Sequence, residues 1–515
     1  MSTLAAHRPD RPPRLLVAVA LLCAAAAACP IAYLAIRTAQ AGWSDVRPLL
    51  LRDRTLELGL NSLALCGSVA LGSLVIGIPT AWLVTRARLP WAGFWRVVAA
   101  LPLAMPSYVA AYAWLTFVPG LHGYWGTVLV LTLVSAPYVT LPVAAVLRRA
   151  DTDVEDVART LGMGPTRAAV ATLLPQVLPA ATAGALLAAL YALSDFGAPA
   201  LMRHQVFTYG IQHAYKIGFD RTLAAVMALV LAAMALAVVL GERLFRGRAE
   251  RRGASGSGGV PAPPRSLGRG LPVALALLGI VAVATLGVPA AALAVQSAES
   301  LSTGVVWDEL GGAAAQTVAL SAAGAALTVL LALPIGILAG RFRGRVAASI
   351  ESASYLGNAI PGIVVGLALV FLTINLLPGL YQTSVALAAA YAVMFLPKAV
   401  GAVRTGVQQV PRDVEEAARV LGRGPVRVWA TVTARIASPG IAAGALLVML
   451  TAMKELPATL MLRPIGVETL ATELWSKSAV GSYGAAAPYA VSLVLVAALP
   501  AYLLSRPGTE RGAAS

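Results

Sequence analysis

The chain has 515 residues, 58% of them hydrophobic and only 12% charged. A soluble domain is about a quarter charged, so a soluble globule of this size is excluded and lipid must cover part of the surface. The net charge of +16 comes from 39 Lys and Arg against 23 Asp and Glu. Those basic residues fall between apolar runs, with no polar domain to carry nucleic-acid binding, and therefore read as a topology signal.

The N-terminus places Arg8, Arg11 and Arg14 before an apolar run at 15–36. A cleavable signal core is about 7–15 residues and a span needs about 20, so this run is expected to be a retained first helix. Further apolar runs follow near 57–85, 97–118, 124–147, 179–194 and 222–241. A second set lies near 271–295, 316–340, 346–374, 381–403, 437–453 and 484–505. They predict an all-α integral membrane protein of twelve transmembrane helices. The runs are continuous rather than alternating, which excludes a closed barrel. Cys23, Cys29 and Cys66 sit in apolar stretches without ligand spacing and read as small core residues. His204 and His213 share a polar loop with Tyr209 and Tyr215. No fixed ligand spacing appears there, so the loop reads as solvated and no metal site is expected.

The stretch 246–270 is rich in Gly, Ser, Pro and Arg and reads as a flexible linker. It divides the chain into a first half, 1–245, and a second half, 271–515. Twelve spans put both termini on one side. With that side cytoplasmic, the clusters Arg86/Arg88/Arg96, Arg148/Arg149/Arg159/Arg167 and Arg341/Arg343/Arg345 all lie inside, together with the basic linker, as the positive-inside rule requires.

The halves repeat. Asn61-Ser62-Leu63-Ala64-Leu65 matches Gln316-Thr317-Val318-Ala319-Leu320 at an offset of 255, which also pairs Pro79 with Pro334, Arg86 with Arg341 and Pro106 with Pro361. Beyond the third run the offset becomes 260, pairing Pro137 with Pro397, Asp153 with Asp413, Gly162 with Gly422 and Pro179 with Pro439. Six spans per half in the same orientation form a parallel repeat, with a pathway expected between the halves.

Between spans four and five lies Asp153-Val154-Glu155-Asp156-Val157-Ala158-Arg159-Thr160-Leu161-Gly162-Met163-Gly164-Pro165, and its counterpart runs from Asp413 to Pro425. Acids at the start favour a short helix, and Gly-x-Gly-Pro ends it in a sharp turn. The pattern Glu-Ala-Ala, three residues, Gly, then a distal Leu-Pro resembles the loop of the permease subunits of ABC importers. Glu416-Ala417-Ala418 and Gly422 match in register, Asp156-Val157-Ala158 and Gly162 are a conservative variant, and Leu174-Pro175 is kept in the first loop while Ala434-Arg435 replaces it in the second.

The resemblance implies a type I importer permease with coupling loops at about 150–178 and 406–436. Asp156, Val157, Ala158, Gly162, Glu416, Ala417, Ala418 and Gly422 would then contact the ATPase. It implies two copies of an ABC ATPase subunit and an extracytoplasmic substrate-binding protein as partners, in a multi-pass cell-membrane protein surrounded by lipid. The chain has no Gly-Lys dipeptide and hence no phosphate-binding loop. It is expected to be no enzyme, to bind no cofactor, and to leave ATP to its partner.

A last motif, Lys454-Glu455-Leu456-Pro457-Ala458-Thr459-Leu460, has the counterpart Ser194-Asp195-Phe196-Gly197-Ala198-Pro199-Ala200. That motif and the fusion of two permeases resemble the Fe(III)-type importers, while thiamine, phosphonate, sulfate and polyamine permeases carry similar loops. Asp195, Lys454 and Glu455 are expected to line the pathway or meet the binding protein, or to snorkel to water. An ion-gradient-driven secondary carrier is the alternative of another class. It would need intramembrane carboxylates, of which the span centres hold almost none. A membrane scaffold would leave the duplicated loop unexplained.

Overall fold

The computed structural model describes residues 12–149, 153–216, 218, 220–254, 264–342, 344–355, 357 and 360–505. Among these, ten helices are long and apolar enough to cross a membrane. The third run of each half departs from the expected straight crossing. In the first half, 92–104 and 107–117 meet at a bend of 99°. In the second, Arg345–Ser354 is followed by the short apolar helix Gly362–Leu376. Twelve uninterrupted spans are thus corrected to ten, or eleven with the bent pair counted as one.

The matched prolines explain both breaks. Pro106 and Pro361 have extended backbone (ψ 139° and 142°) immediately before the helices Ser107–Phe117 and Gly362–Leu376. Proline lacks an N–H and suits a helix start, and it biases the residue before it away from helix. Non-helical backbone at membrane depth must be shielded from lipid. The helices after both breaks are accordingly buried, with Tyr108, Val109, Ala111 and Tyr112 in one and Ile363, Val364, Val365 and Leu367 in the other.

The chain forms two compact units that do not follow the halves of the repeat. One comprises residues 1–42, 306–474 and 488–515, and the other residues 43–305 and 475–487. The first span, Arg14–Gln40, packs on Trp307–Arg341 and Gly362–Leu376 of the second half. The first span of the second half, 271–303, packs on the first half's 53–86 and 107–117. Each broken third segment is therefore covered by the opening span of the opposite half.

The repeated polar pair at 61–62 and 316–317 has the same task in both units. Asn61 donates to the Gln205 carbonyl at 3.0 Å, and Ser62 accepts from the Phe207 N–H at 3.0 Å. Gln316 accepts from the Glu468 N–H at 2.6 Å, and Thr317 from the Leu470 N–H at 2.9 Å. Both pairs tie a short helix, Phe207–Lys216 or Leu470–Ala479, to a long span.

At the linker, helix Arg221–Ala254 runs well past the apolar run, and residues 255–263 lie outside those described. Beyond them Arg265 pairs with the end of the second span: its N–H donates to the Arg86 carbonyl at 2.7 Å, and its carbonyl accepts from Arg88 at 2.8 Å.

Candidate functional site

The duplicated loop folds as short helices at Asp153–Thr160 and Arg412–Val420. Both end in a left-handed glycine, Gly162 at φ 87° and Gly422 at φ 79°. In the first, Met163 N–H donates to Ala158 O at 3.1 Å and Gly162 N–H to Arg159 O at 3.0 Å. In the second, Arg423 bonds to Ala418 at 3.2 Å and Gly422 to Arg419 at 2.9 Å. This is the Schellman pattern, whose left-handed residue suits glycine. A Cβ at either glycine would meet nothing of the chain within 4 Å, so the requirement comes from the sign of φ and not from crowding. Pro165 and Pro425 then begin the returning helices. The short runs expected at 179–194 and 437–453 are the far ends of these longer elements.

The loop helices each have a buried and an exposed side. Ala158 and Ala418 are buried, while Val157, Glu416 and Ala417 are exposed. The Asp156 side chain lies outside those described. Leu161 and Leu421, matched at an offset of 260, are 77% and 78% exposed, and Val420 is 87% exposed. Apolar groups so displayed on a polar loop suit a contact surface. The family motif does not include the leucines, although their equivalence across the repeat was legible.

The second loop is anchored by a largely buried ion pair. Arg341, the last residue of its span, donates through Nη2 to Glu415 Oε1 at 2.6 Å and through Nη1 to the Val410 carbonyl at 3.1 Å. Arg412 donates back to the Arg341 carbonyl at 3.1 Å. The Thr433 hydroxyl also donates to Glu415. Thr433 closes a π-helical turn, Trp429–Thr433, which interrupts the returning helix where Leu-Pro is lost from the motif. The first loop's returning helix, Pro165–Ser194, is continuous, with buried Leu173 at the position matching Thr433. Sequence reasoning missed this anchor, yet its signal was present: Arg86 matches Arg341, and Glu155 matches Glu415.

At the far end of each returning helix the chain breaks and turns into an elbow helix, Gly197–Leu201 or Pro457–Leu462. Asp195 accepts from the Ala198 N–H at 2.9 Å and from the Ser107 hydroxyl. Glu455 accepts from the Ala458 and Thr459 N–H groups, each at 2.9 Å, and from the Thr459 hydroxyl at 2.7 Å. Thr459 also meets the Tyr391 hydroxyl at 2.8 Å. Both carboxylates thus hold the start of their own elbow. Burial pushes Asp195 up to about 6 and raises Glu455, while the hydrogen bonds oppose both shifts. Lys454 is half-buried, and desolvation draws its ammonium down to about 8.

Residues 73–251 and again 332–506 match the family described as binding-protein-dependent transport system inner membrane component. The chain belongs to this family. It is 33% identical over 502 residues to the Fe(3+)-transport system permease protein FbpB 2 of Haemophilus influenzae, covering 97% of this chain and 99% of that protein. It is also similar to the sulfate transport system permease protein CysT of Escherichia coli, 27% identical over 33% of this chain and 66% of that protein. The molybdenum transport system permease protein ModB of the same species is 31% identical over 29% of this chain and 72% of that protein.

The chain is therefore a fused pair of permease domains in a multi-pass inner-membrane protein, and it resembles the Fe(III)-type permeases along its whole length. It is a transport subunit and not an enzyme: ATP hydrolysis belongs to a separate subunit. The family works with a substrate-binding protein, as its description states.

Proposed function

We propose that the permease moves iron(III), delivered by an extracytoplasmic binding protein, into the cytoplasm. The full-length match to an Fe(3+) permease carries this reading, because the sulfate and molybdenum relatives cover only about a third of the chain. A bare oxyanion such as sulfate or molybdate is the second reading, favoured by those shorter matches. Vesicles reconstituted with the permease, its ATPase and its binding protein should accumulate radioactive iron in an ATP-dependent manner. Uptake of molybdate or sulfate with no uptake of iron would replace the first reading by the second.

In this proposal two ATPase copies dock on the loop helices, one on the surface around Val157 and Leu161 and one around Ala417, Val420 and Leu421. Gly162 and Gly422 set the turn behind each surface. ATP is bound by those partners, and this chain binds no cofactor. Both termini and the linker lie in the cytoplasm, and the loops at 203–221 and 463–483 lie outside. The detergent-solubilised permease should copurify with two ATPases per chain, and a complex without them under gentle extraction counts against the docking assignment. A Gly256→Cys variant should resist impermeant thiol reagents in intact cells, and labelling there would invert the orientation.

A further inference from the structure

In the unit that contains residues 43–305, the corner where the linker rejoins the spans carries arginines with nothing to neutralise them. The stretches 58–149 and 264–298 contain no aspartate or glutamate. Arg88 follows the span Asp53–Arg86, Arg96 lies in the helix Ala92–Ala100, and Arg269 lies in the turn Gly268–Gly270 that leads into the helix Leu271–Ala282. The backbone joins these segments, since the Arg88 N–H donates to the Arg265 carbonyl at 2.8 Å. Side chains join them too: Leu89, Trp95 and Leu267 belong to one apolar cluster with Leu278. All three arginines are exposed, and among the described residues their side chains have no hydrogen bond or ion pair. Trp91 and Phe94 of the same corner are also exposed, as aromatic rings are at a membrane–water interface.

The repeat shows that the frame does not require this charge. At the offset of 255, Glu351 stands in the place of Arg96 and accepts from Arg404 Nη1 at 2.5 Å. The second half therefore neutralises its own corner, whereas this one is left with basic residues alone.

A cleft of about 360 Å³ opens inward of the arginines, between the same three elements and the helix Pro137–Arg149. Its walls are mainly apolar, with Pro102, Leu133, Leu278 and Val281 among them. At about 1.5 Å per helical residue, Thr80 and Ile76 of the wall lie about 9 and 15 Å inward of Arg86. That depth belongs to the acyl chains of one leaflet. Thr140 and Thr285 give their protons to carbonyls of their own helices, at 3.1 and 2.8 Å. Trp95 also lines the cleft, and its buried Nε1–H has no acceptor among the described residues. A buried donor left unpaired is costly. The cleft thus suits an occupant with negative charge at the arginines, an oxygen at Trp95 and an apolar tail beyond it.

We propose that this corner binds a diacyl phospholipid with an anionic headgroup. Its phosphate meets Arg88, Arg96 and Arg269, an ester oxygen accepts from Trp95 Nε1, and one acyl chain fills the cleft. Basic pockets between transmembrane helices suit such headgroups. A zwitterionic lipid adds an ammonium group that the arginines repel, and free phosphate has no tail for the cleft. Through Arg269 the lipid fastens the end of the linker to the span that ends at Arg86.

The purified full-length permease, stripped of lipid in detergent, would be mixed with phosphatidylglycerol carrying a diazirine in one acyl chain, or with phosphatidylcholine carrying the same chains. After illumination the adducts are mapped by peptide mass. Phosphatidylglycerol should label residues 95–102 and 278–285 at least about fivefold more than phosphatidylcholine, the contribution of one basic residue. Unlabelled phosphatidylglycerol should compete, and inorganic phosphate at the same concentration should not. Each of Arg88→Gln, Arg96→Gln and Arg269→Gln should weaken binding about fivefold, while Arg88→Lys, Arg96→Lys and Arg269→Lys keep most of it. Trp95→Phe keeps a ring but loses the donor, and should weaken both lipids alike. The mapping uses the unaltered chain, so it decides even where a variant folds poorly. Equal labelling by the two lipids, adducts outside the cleft, or full competition by inorganic phosphate overturns the site. So does a triple glutamine variant that binds phosphatidylglycerol as tightly as the unaltered chain.

Discussion

The two elbows solve one problem with exchanged parts. In the first half the shorter carboxylate, Asp195, is met by the Ser107 hydroxyl. In the second the longer carboxylate, Glu455, faces Gly362, which occupies the position of Ser107 at the offset of 255. A Cβ on Gly362 would stand 2.7 Å from Glu455 Oε1. One methylene added to the acid is matched by a side chain removed from its neighbour. The carboxylate cap is thus a requirement of the frame, conserved in function while its atoms are redistributed. Arg96 has no such counterpart, because the second half puts Glu351 in its place, which separates what the fold needs from what one half adds.

The largest effect is expected at the loops. Glu415→Ala leaves the largely buried Arg341 without its carboxylate, which should destabilise by about 3 kcal/mol, read as a lower denaturation midpoint in mixed micelles. The double variant Arg341→Met/Glu415→Leu should recover most of that loss. If Glu415→Ala is silent, the anchor is not what fixes the second loop.

Gly362→Ser crowds Glu455 and should cost about 1–3 kcal/mol. Gly362→Ser combined with Glu455→Asp recreates the first half's arrangement and should restore most of the stability. An additive double variant would refute the exchange.

The glycine turns come next. A β-branched residue at Gly162 or Gly422 pays about 1–2 kcal/mol for left-handed backbone, so Gly162→Val and Gly422→Val should leave the protein in the membrane but abolish binding-protein-stimulated ATPase activity in vesicles. Asn tolerates that backbone, and Gly162→Asn should keep much of the activity if the turn is the whole requirement. Loss in the Asn variant as well would mean that a partner approaches too closely for any side chain.

Smaller effects test the dressing of the frame. Tyr391→Phe removes the hydroxyl that meets Thr459, a contact absent from the first half, where Leu131 and Pro199 stand at the matching positions. A loss of about 0.5–1.5 kcal/mol is expected, and none at Leu131→Phe beyond its packing.

His204 belongs to the turn before the first half's helix Phe207–Lys216. It is buried against the Tyr124 ring at 5.4 Å, and its Nε2 has no hydrogen-bond partner among the described residues. Burial lowers its pKa below the ordinary value. The unfolded chain therefore binds the proton more readily, so stability rises with pH. The melting temperature should drop slightly as pH falls below about 6.5, and less so in His204→Gln.

The sequence by itself determined most of the spans, the repeat and the turns. Apolar length, proline and glycine act on the neighbouring backbone, so Pro106 and Pro361, Gly162 and Gly422 could be found by position alone, and the paired Glu-Ala-Ala loops with them. Tertiary structure decided what depends on partners distant in the chain. It showed that Pro106 and Pro361 break a span, because burial on all sides is what permits the break. It showed that Ala158 and Ala418 face inward while Leu161 and Leu421 face out, and that Asp195 and Glu455 close their own elbows. It also joined Arg341 to Glu415, 74 residues apart, and placed Arg88 beside Arg265 at the far end of the linker. Such pairings follow from packing, which no local pattern of residue types encodes.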